Sequence, residues 1–131
     1  GKELKDYLEN SFDLWIGGKG PAYNYDSATG LNYTVKRSAP KGKRVKITTM
    51  ADGRAFDMNA TYTVAMTSYR ASGAGDLLKN AGIDPSEIDG RTIDRHPEIR
   101  ELIYEYLLKE KVIVPSELSK NPKLGRWNFV K

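Results

Sequence analysis

No cysteine occurs in these 131 residues, and histidine occurs once. The first absence excludes disulfides and thiolate metal sites, and it removes the redox clue to compartment. The second leaves no histidine cluster for a metal centre and no histidine pair for acid–base work. Long apolar runs are missing too: none approaches the roughly 20 residues that a membrane-spanning helix needs. The polar start Gly1-Lys2-Glu3-Leu4-Lys5 lacks the charged-then-apolar layout of a secretory signal, so any export signal is expected outside this sequence. Acids are absent from one stretch. Between Lys36 and Lys46 stand six cations (Lys36, Arg37, Lys41, Lys43, Arg44, Lys46) and no Asp or Glu, within a chain of net charge +4.

The length suits a single domain, residues 1–131, able to bury roughly two-thirds of its unfolded surface. The first element reads as a helix, with Leu4, Tyr7, Leu8, Phe12 or Ser11, and Trp15 at helical spacing. Gly17-Gly18-Lys19-Gly20-Pro21 ends it; these glycines follow a helix and lead to extended sequence, the wrong context for a phosphate-cradling loop. From Tyr23 to Thr67 the period becomes two. Leu31, Tyr33 and Val35, then Val45, Ile47 and Thr49, then Tyr62, Val64 and Met66, read as antiparallel strands, with a loop at Ala39-Pro40-Lys41-Gly42 and a turn at Asp52-Gly53. Leu77 to Ala81 reads as one or two helical turns. A second long helix is expected with Asp94 as N-cap, Pro97 in its first turn, and an apolar stripe of Ile99, Leu102, Ile103, Tyr106 and Leu107 packed on the sheet. Val112-Ile113-Val114 is short and stopped by Pro115, and Trp127-Asn128-Phe129-Val130 alternates like a closing strand. The fold class is α+β, an antiparallel β-sheet flanked by two main helices.

Residues suited to catalysis are scarce. His96 sits before Pro97 near a helix start, with no Ser or Cys placed as a nucleophile, and reads as a capping or surface residue. Asp84, Glu87, Asp89 and Asp94 lie in a polar connection that suits turns and caps better than a metal. The stretch that offers binding chemistry is Ser68-Tyr69-Arg70-Ala71-Ser72-Gly73-Ala74-Gly75-Asp76. It combines an aromatic plate for a planar heterocycle, a cation, and glycines that let backbone approach a ligand. The plainer alternative is a strand-to-helix connection with an exposed Tyr69. The basic stretch has two readings as well: a solvated sheet edge guarded by Lys, or a surface for single-stranded nucleic acid with Tyr23, Tyr25 and Tyr33 nearby.

Three strings in order, Gly1 to Glu9, Tyr25 to Val35, and above all Thr61-Tyr62-Thr63-Val64-Ala65-Met66-Thr67-Ser68-Tyr69-Arg70-Ala71-Ser72-Gly73, resemble the C-terminal domain of bacterial 5'-nucleotidases and 2',3'-cyclic-nucleotide 2'-phosphodiesterases. The resemblance extends to Trp127-Asn128-Phe129-Val130, like the family's closing strand. It implies substrate recognition for an exported nucleotide phosphohydrolase, periplasmic or at the cell surface. An N-terminal metallophosphoesterase domain in the same polypeptide would carry the divalent metal ions and the hydrolysis, leaving this part without a metal or cofactor and inactive alone. The partners implied are nucleotides or nucleosides rather than a nucleic-acid polymer. By the same resemblance Tyr69 stacks on the base; the neighbouring Arg70, Ser72, Gly73, Gly75 and Asp76 complete the candidate substrate-binding set, with Arg70 read either as a cation near the base or phosphate or as a side chain solvated outward on the loop. The chain departs from the family twice. Its acid follows Gly73-Ala74-Gly75 and so falls one place late, where Asp76 either reaches the ribose or caps the Leu77 helix; and the sequence begins after the family's first segment, which holds the second stacking ring.

Overall fold

A computed structural model describes residues 1–18 and 20–131. Lys19, inside the glycine-rich stretch expected to end the first helix, lies outside the described residues.

Helix α1 (Lys2–Gly17) buries Leu8 and Phe12 on one face, as its spacing requires, and ends at Gly18, whose N–H donates to the Trp15 carbonyl at 3.3 Å. Strands β1 (Leu31–Lys36) and β2 (Val45–Met50) follow. Four short helices come next: α2 (Ser68–Ala71), α3 (Leu77–Asn80), α4 (Ile88–Arg91) and, after α5 (Ile99–Glu110), α6 (Pro115–Lys120). Strand β3 (Gly125–Val130) closes the chain.

The sheet has the order β2-β1-β3. The β1/β2 pair is antiparallel, with Val35 opposite Val45 and an irregularity between Asn32 and Tyr33. The closing strand is present, but it runs parallel to β1, with Leu31 opposite Gly125 and Val35 opposite Phe129. The expectation of a wholly antiparallel sheet is corrected for that pair. A strand returning across a long, largely helical connection is free to enter in the parallel sense.

Inward residues of all three strands meet α1. Phe12, fully buried, is the hub: its ring lies edge-on to Tyr25 at 5.2 Å and Trp127 at 5.1 Å, while Tyr33 stacks on Trp127 at 5.8 Å. Offset and edge-to-face contacts of this kind add to the area that aromatic side chains bury. Two acids of α1 reach across to the hairpin. Glu9, 3% exposed, accepts the N–H groups of Arg44 at 2.8 Å and Val45 at 2.9 Å and takes Lys5 Nζ at 2.7 Å. Asp13 accepts the Gly42 N–H at 2.8 Å and pairs with Arg44 Nε at 2.8 Å. Burial of Asp13 pushes its carboxyl above the usual aspartate value.

Three expectations are corrected. Thr61 to Thr67 joins no sheet among the described residues; Tyr62 stacks on Phe56 at 5.1 Å, and Val64 and Met66 are exposed. Helix α5 begins at Ile99 with Glu98 in the N-cap position rather than Asp94. Its apolar stripe does not cover the sheet, since none of its residues is buried and Ile103 is 51% exposed. Of the two helices expected to flank the sheet, α1 does so. In the Val112-Ile113-Val114 segment Val112 completes a bend begun at Lys111, and extended Val114 takes the N-cap position of α6.

Candidate functional site

The loop from Ser68 to Asp76 is built from its own turn chemistry. Thr67 takes the N-cap position of α2, its hydroxyl accepting the Arg70 N–H at 3.4 Å. Ser72 Oγ donates to the Tyr69 carbonyl at 2.8 Å, and the Gly73 N–H donates to the Arg70 carbonyl at 2.9 Å. Four residues of helix thus end in a tight turn that holds Tyr69 at the surface. Its ring is 54% exposed, and its hydroxyl joins no hydrogen bond among the described residues.

Gly73 and Gly75 both have positive φ, at 89° and 83°. The space beside each is filled by the protein itself. A Cβ on Gly73 would lie 2.6 Å from Pro85 Cγ, and one on Gly75 would collide with Asn24 Oδ1 and Arg70 Nη1. Their smallness therefore serves close packing of the loop on its neighbours.

Asp76 also has positive φ, at 58°, which costs a non-glycine residue energy that surrounding structure must hold in place. It occupies the N-cap position of α3, yet its side chain makes no capping bond. Capping, one of its two expected roles, is thereby removed. The carboxylate is exposed and has no hydrogen-bond or ion-pair partner among the described residues.

Arg70 is buried, 7% exposed, in spite of its charge. Its Nε lies 2.8 Å from Asp26 Oδ2 and its Nη2 donates to Asp26 Oδ1 at 2.9 Å. Its Nη1 donates to Asn24 Oδ1 at 2.5 Å and to the Ala74 carbonyl at 3.1 Å. Tyr7 donates from α1 to Asp26 Oδ2 at 2.5 Å; burial and that hydrogen bond together push its phenol far above the ordinary tyrosine value. Asn24, Asp26 and Tyr7 were not among the residues expected at this loop. The available signal was faint: Ser11, a polar residue inside the apolar stripe of α1, is fully buried and exchanges hydrogen bonds with the Asp26 backbone at 2.6 and 2.7 Å.

The structure thus brings Tyr69, Ser72, Gly73, Gly75 and Asp76 onto one loop, with the Arg70 guanidinium turned inward beneath it. A cleft of about 280 Å³ lies elsewhere, lined by Asn10, Asp13, Leu14, Lys41, Arg44 and Asn80. No group of three or more His, Cys, Asp or Glu suited to a metal ion occurs among the described residues, so no ligand set here fits the metal ions that the resemblance implies. No helix is long and apolar enough to cross a membrane among the described residues.

Comparison with known proteins agrees with the sequence resemblance. A family profile described as 5'-nucleotidase, C-terminal domain, matches residues 1–80, more than half of the chain. A 2',3'-cyclic-nucleotide 2'-phosphodiesterase/3'-nucleotidase of Salmonella typhimurium is 32% identical across 67% of this chain, which spans 17% of that relative's length. No solved structure matches. On the family match, the chain belongs to the 5'-nucleotidase C-terminal domain family.

Proposed function

We propose that this domain holds the nucleoside part of a nucleotide for an exported, metal-dependent phosphohydrolase, either a 5'-nucleotidase or a 2',3'-cyclic-nucleotide 2'-phosphodiesterase/3'-nucleotidase. The observation that carries the reading is the half-exposed ring of Tyr69 on a braced loop that also presents the unpartnered carboxylate of Asp76. Stacking on an aromatic plate is worth about 1–3 kcal/mol per base and tolerates different bases. Asp76, acceptor-only when ionised, suits the hydroxyl donors of a ribose. Ser72 has already given its hydroxyl hydrogen to the Tyr69 carbonyl, so it supports the turn. Arg70, whose donors are taken inside the protein, enters the reading as a brace for the loop. Hydrolysis, and the divalent metal ions that assist it, belong in this reading to a separate phosphoesterase domain of the same polypeptide.

Titration of the chain with adenosine and with free adenine tests this. Binding is expected to survive Tyr69→Phe, to fall with Tyr69→Ala by about 1–3 kcal/mol, and to weaken with Asp76→Ala for the ribose-containing ligand but not for the free base. Equal affinity of the wild-type chain and Tyr69→Ala would overturn the reading.

A second reading, a surface for single-stranded nucleic acid, is favoured by one observation. Of the six cations between Lys36 and Lys46, Arg44 alone is ion-paired among the described residues. Lys36 and Lys46 share the outward sheet face with Arg126 and no acid. Polynucleotide binding that weakens steeply with salt and ignores Tyr69→Ala would support it over the first.

A further inference from the structure

The Arg70 guanidinium is committed on every side. Its planar fork lies against the Asp26 carboxylate at 2.8 and 2.9 Å, its remaining donors face Asn24 Oδ1 at 2.5 Å, the Ala74 carbonyl at 3.1 Å and the Tyr23 carbonyl at 3.5 Å, and its central carbon lies 5.3 Å from the centre of the Tyr69 ring. Asn24 returns a bond from Nδ2 to the Gly75 carbonyl at 3.1 Å. The 24–26 segment therefore grips the loop near both ends. That segment is itself fixed to α1 by Tyr7 and Ser11, one helical turn apart.

A buried ion pair is weak evidence for stability, because desolvation offsets much of its attraction. A bidentate arginine–carboxylate pair does, however, define orientation in a plane, which a lysine or an apolar contact does not. Here that plane backs the exposed ring. We propose that Arg70 and Asp26, with Tyr7 behind them, form a latch that sets the position of Tyr69, making all three positioning residues for recognition of a nucleobase. The ligand side of this inference rests on the reading of Tyr69 given above; the loop side does not.

The two sides are tested separately. In the ligand-free chain, Arg70→Lys and the milder Tyr7→Phe, which removes one hydroxyl, are expected to speed amide hydrogen exchange at Ser72, Gly73 and Ala74, by about tenfold for Arg70→Lys, while leaving Tyr33 and Val35 in β1 unchanged. In adenosine titrations Arg70→Lys is expected to weaken binding about tenfold in the wild-type background and to add nothing in a Tyr69→Ala background, since it acts through that ring. Loop exchange at wild-type rates in both variants would overturn the latch. So would an Arg70→Lys loss of affinity that persists undiminished without Tyr69. A wild-type chain that binds no adenosine overturns the nucleobase reading of Tyr69, and the latch then stands or falls on exchange alone.

Discussion

The ring of Pro85 fills the space that a side chain on Gly73 would need, with Pro85 Cγ 2.6 Å from where a Cβ would stand. Two independent reasons, the close ring and a φ of 89°, therefore require glycine there. Gly73→Ala is expected to cost roughly 1–3 kcal/mol, the scale of a strained backbone position. Gly90, inside α4 with nothing near its missing Cβ and no positive φ, supplies the contrast: Gly90→Ala should be neutral or stabilise by up to about 1 kcal/mol. Urea unfolding of both variants checks the pair, and equal effects would contradict the packing described.

Glu9 ties α1 to the start of β2 by accepting the backbone N–H groups of Arg44 and Val45. Glu9→Ala strands both of them in a buried setting and leaves Lys5 without its partner, so a loss of about 3 kcal/mol is expected. Glu9→Gln keeps one acceptor oxygen of the same shape and should lose less. Calorimetric melting of the two variants ranks them; the reverse order would mean that charge on Glu9 harms the fold.

Much of the fold was legible in the sequence because periodicity reports which face an element buries. The stripe of α1, the alternation of β1 and β2, and the helical turn at Leu77 all appear where their patterns place them. Periodicity carries no information about who covers that face. Tyr62, Val64 and Met66 alternate like a strand, but a strand needs a neighbouring backbone, and none among the described residues pairs with them. The sense in which β3 enters the sheet and the exposure of α5 belong to the same non-local class. At the site, the glycine-rich bend advertised a surface aromatic, and Tyr69 is exposed. The burial of Arg70 was hidden because its partner Asp26 lies 44 positions away, beyond any local pattern.

The stripe on α5 gives a prediction that separates helix formation from packing. Ile103 is 51% exposed, whereas Phe12 is fully buried among four other rings. Ile103→Ser should change stability by no more than about 0.5 kcal/mol, as surface substitutions do, while Phe12→Ala should cost about 3–5 kcal/mol. Chemical unfolding monitored by circular dichroism gives both values. A loss above about 2 kcal/mol for Ile103→Ser would place that side chain in a core.

Acid should loosen the loop through Asp84. Its Oδ1 accepts the Ser86 N–H at 2.9 Å and the Ser86 hydroxyl at 2.8 Å, capping the turn Pro85–Glu87 that presses Pro85 on Gly73. The backbone hydrogen bond first, and the hydroxyl second, hold its carboxyl below the usual aspartate value of 3.8. A carboxyl whose folded-state value is depressed stabilises the fold only while ionised. Its contribution is complete above 3.8 and disappears as pH falls through the lower, folded-state value. Asp84→Ala should therefore be less stable than the wild-type chain near neutrality, and the two curves should converge in acid. Urea midpoints for both chains across that range decide the matter: a gap that stays constant into strong acid would show that Asp84 acts by its shape and not by its charge.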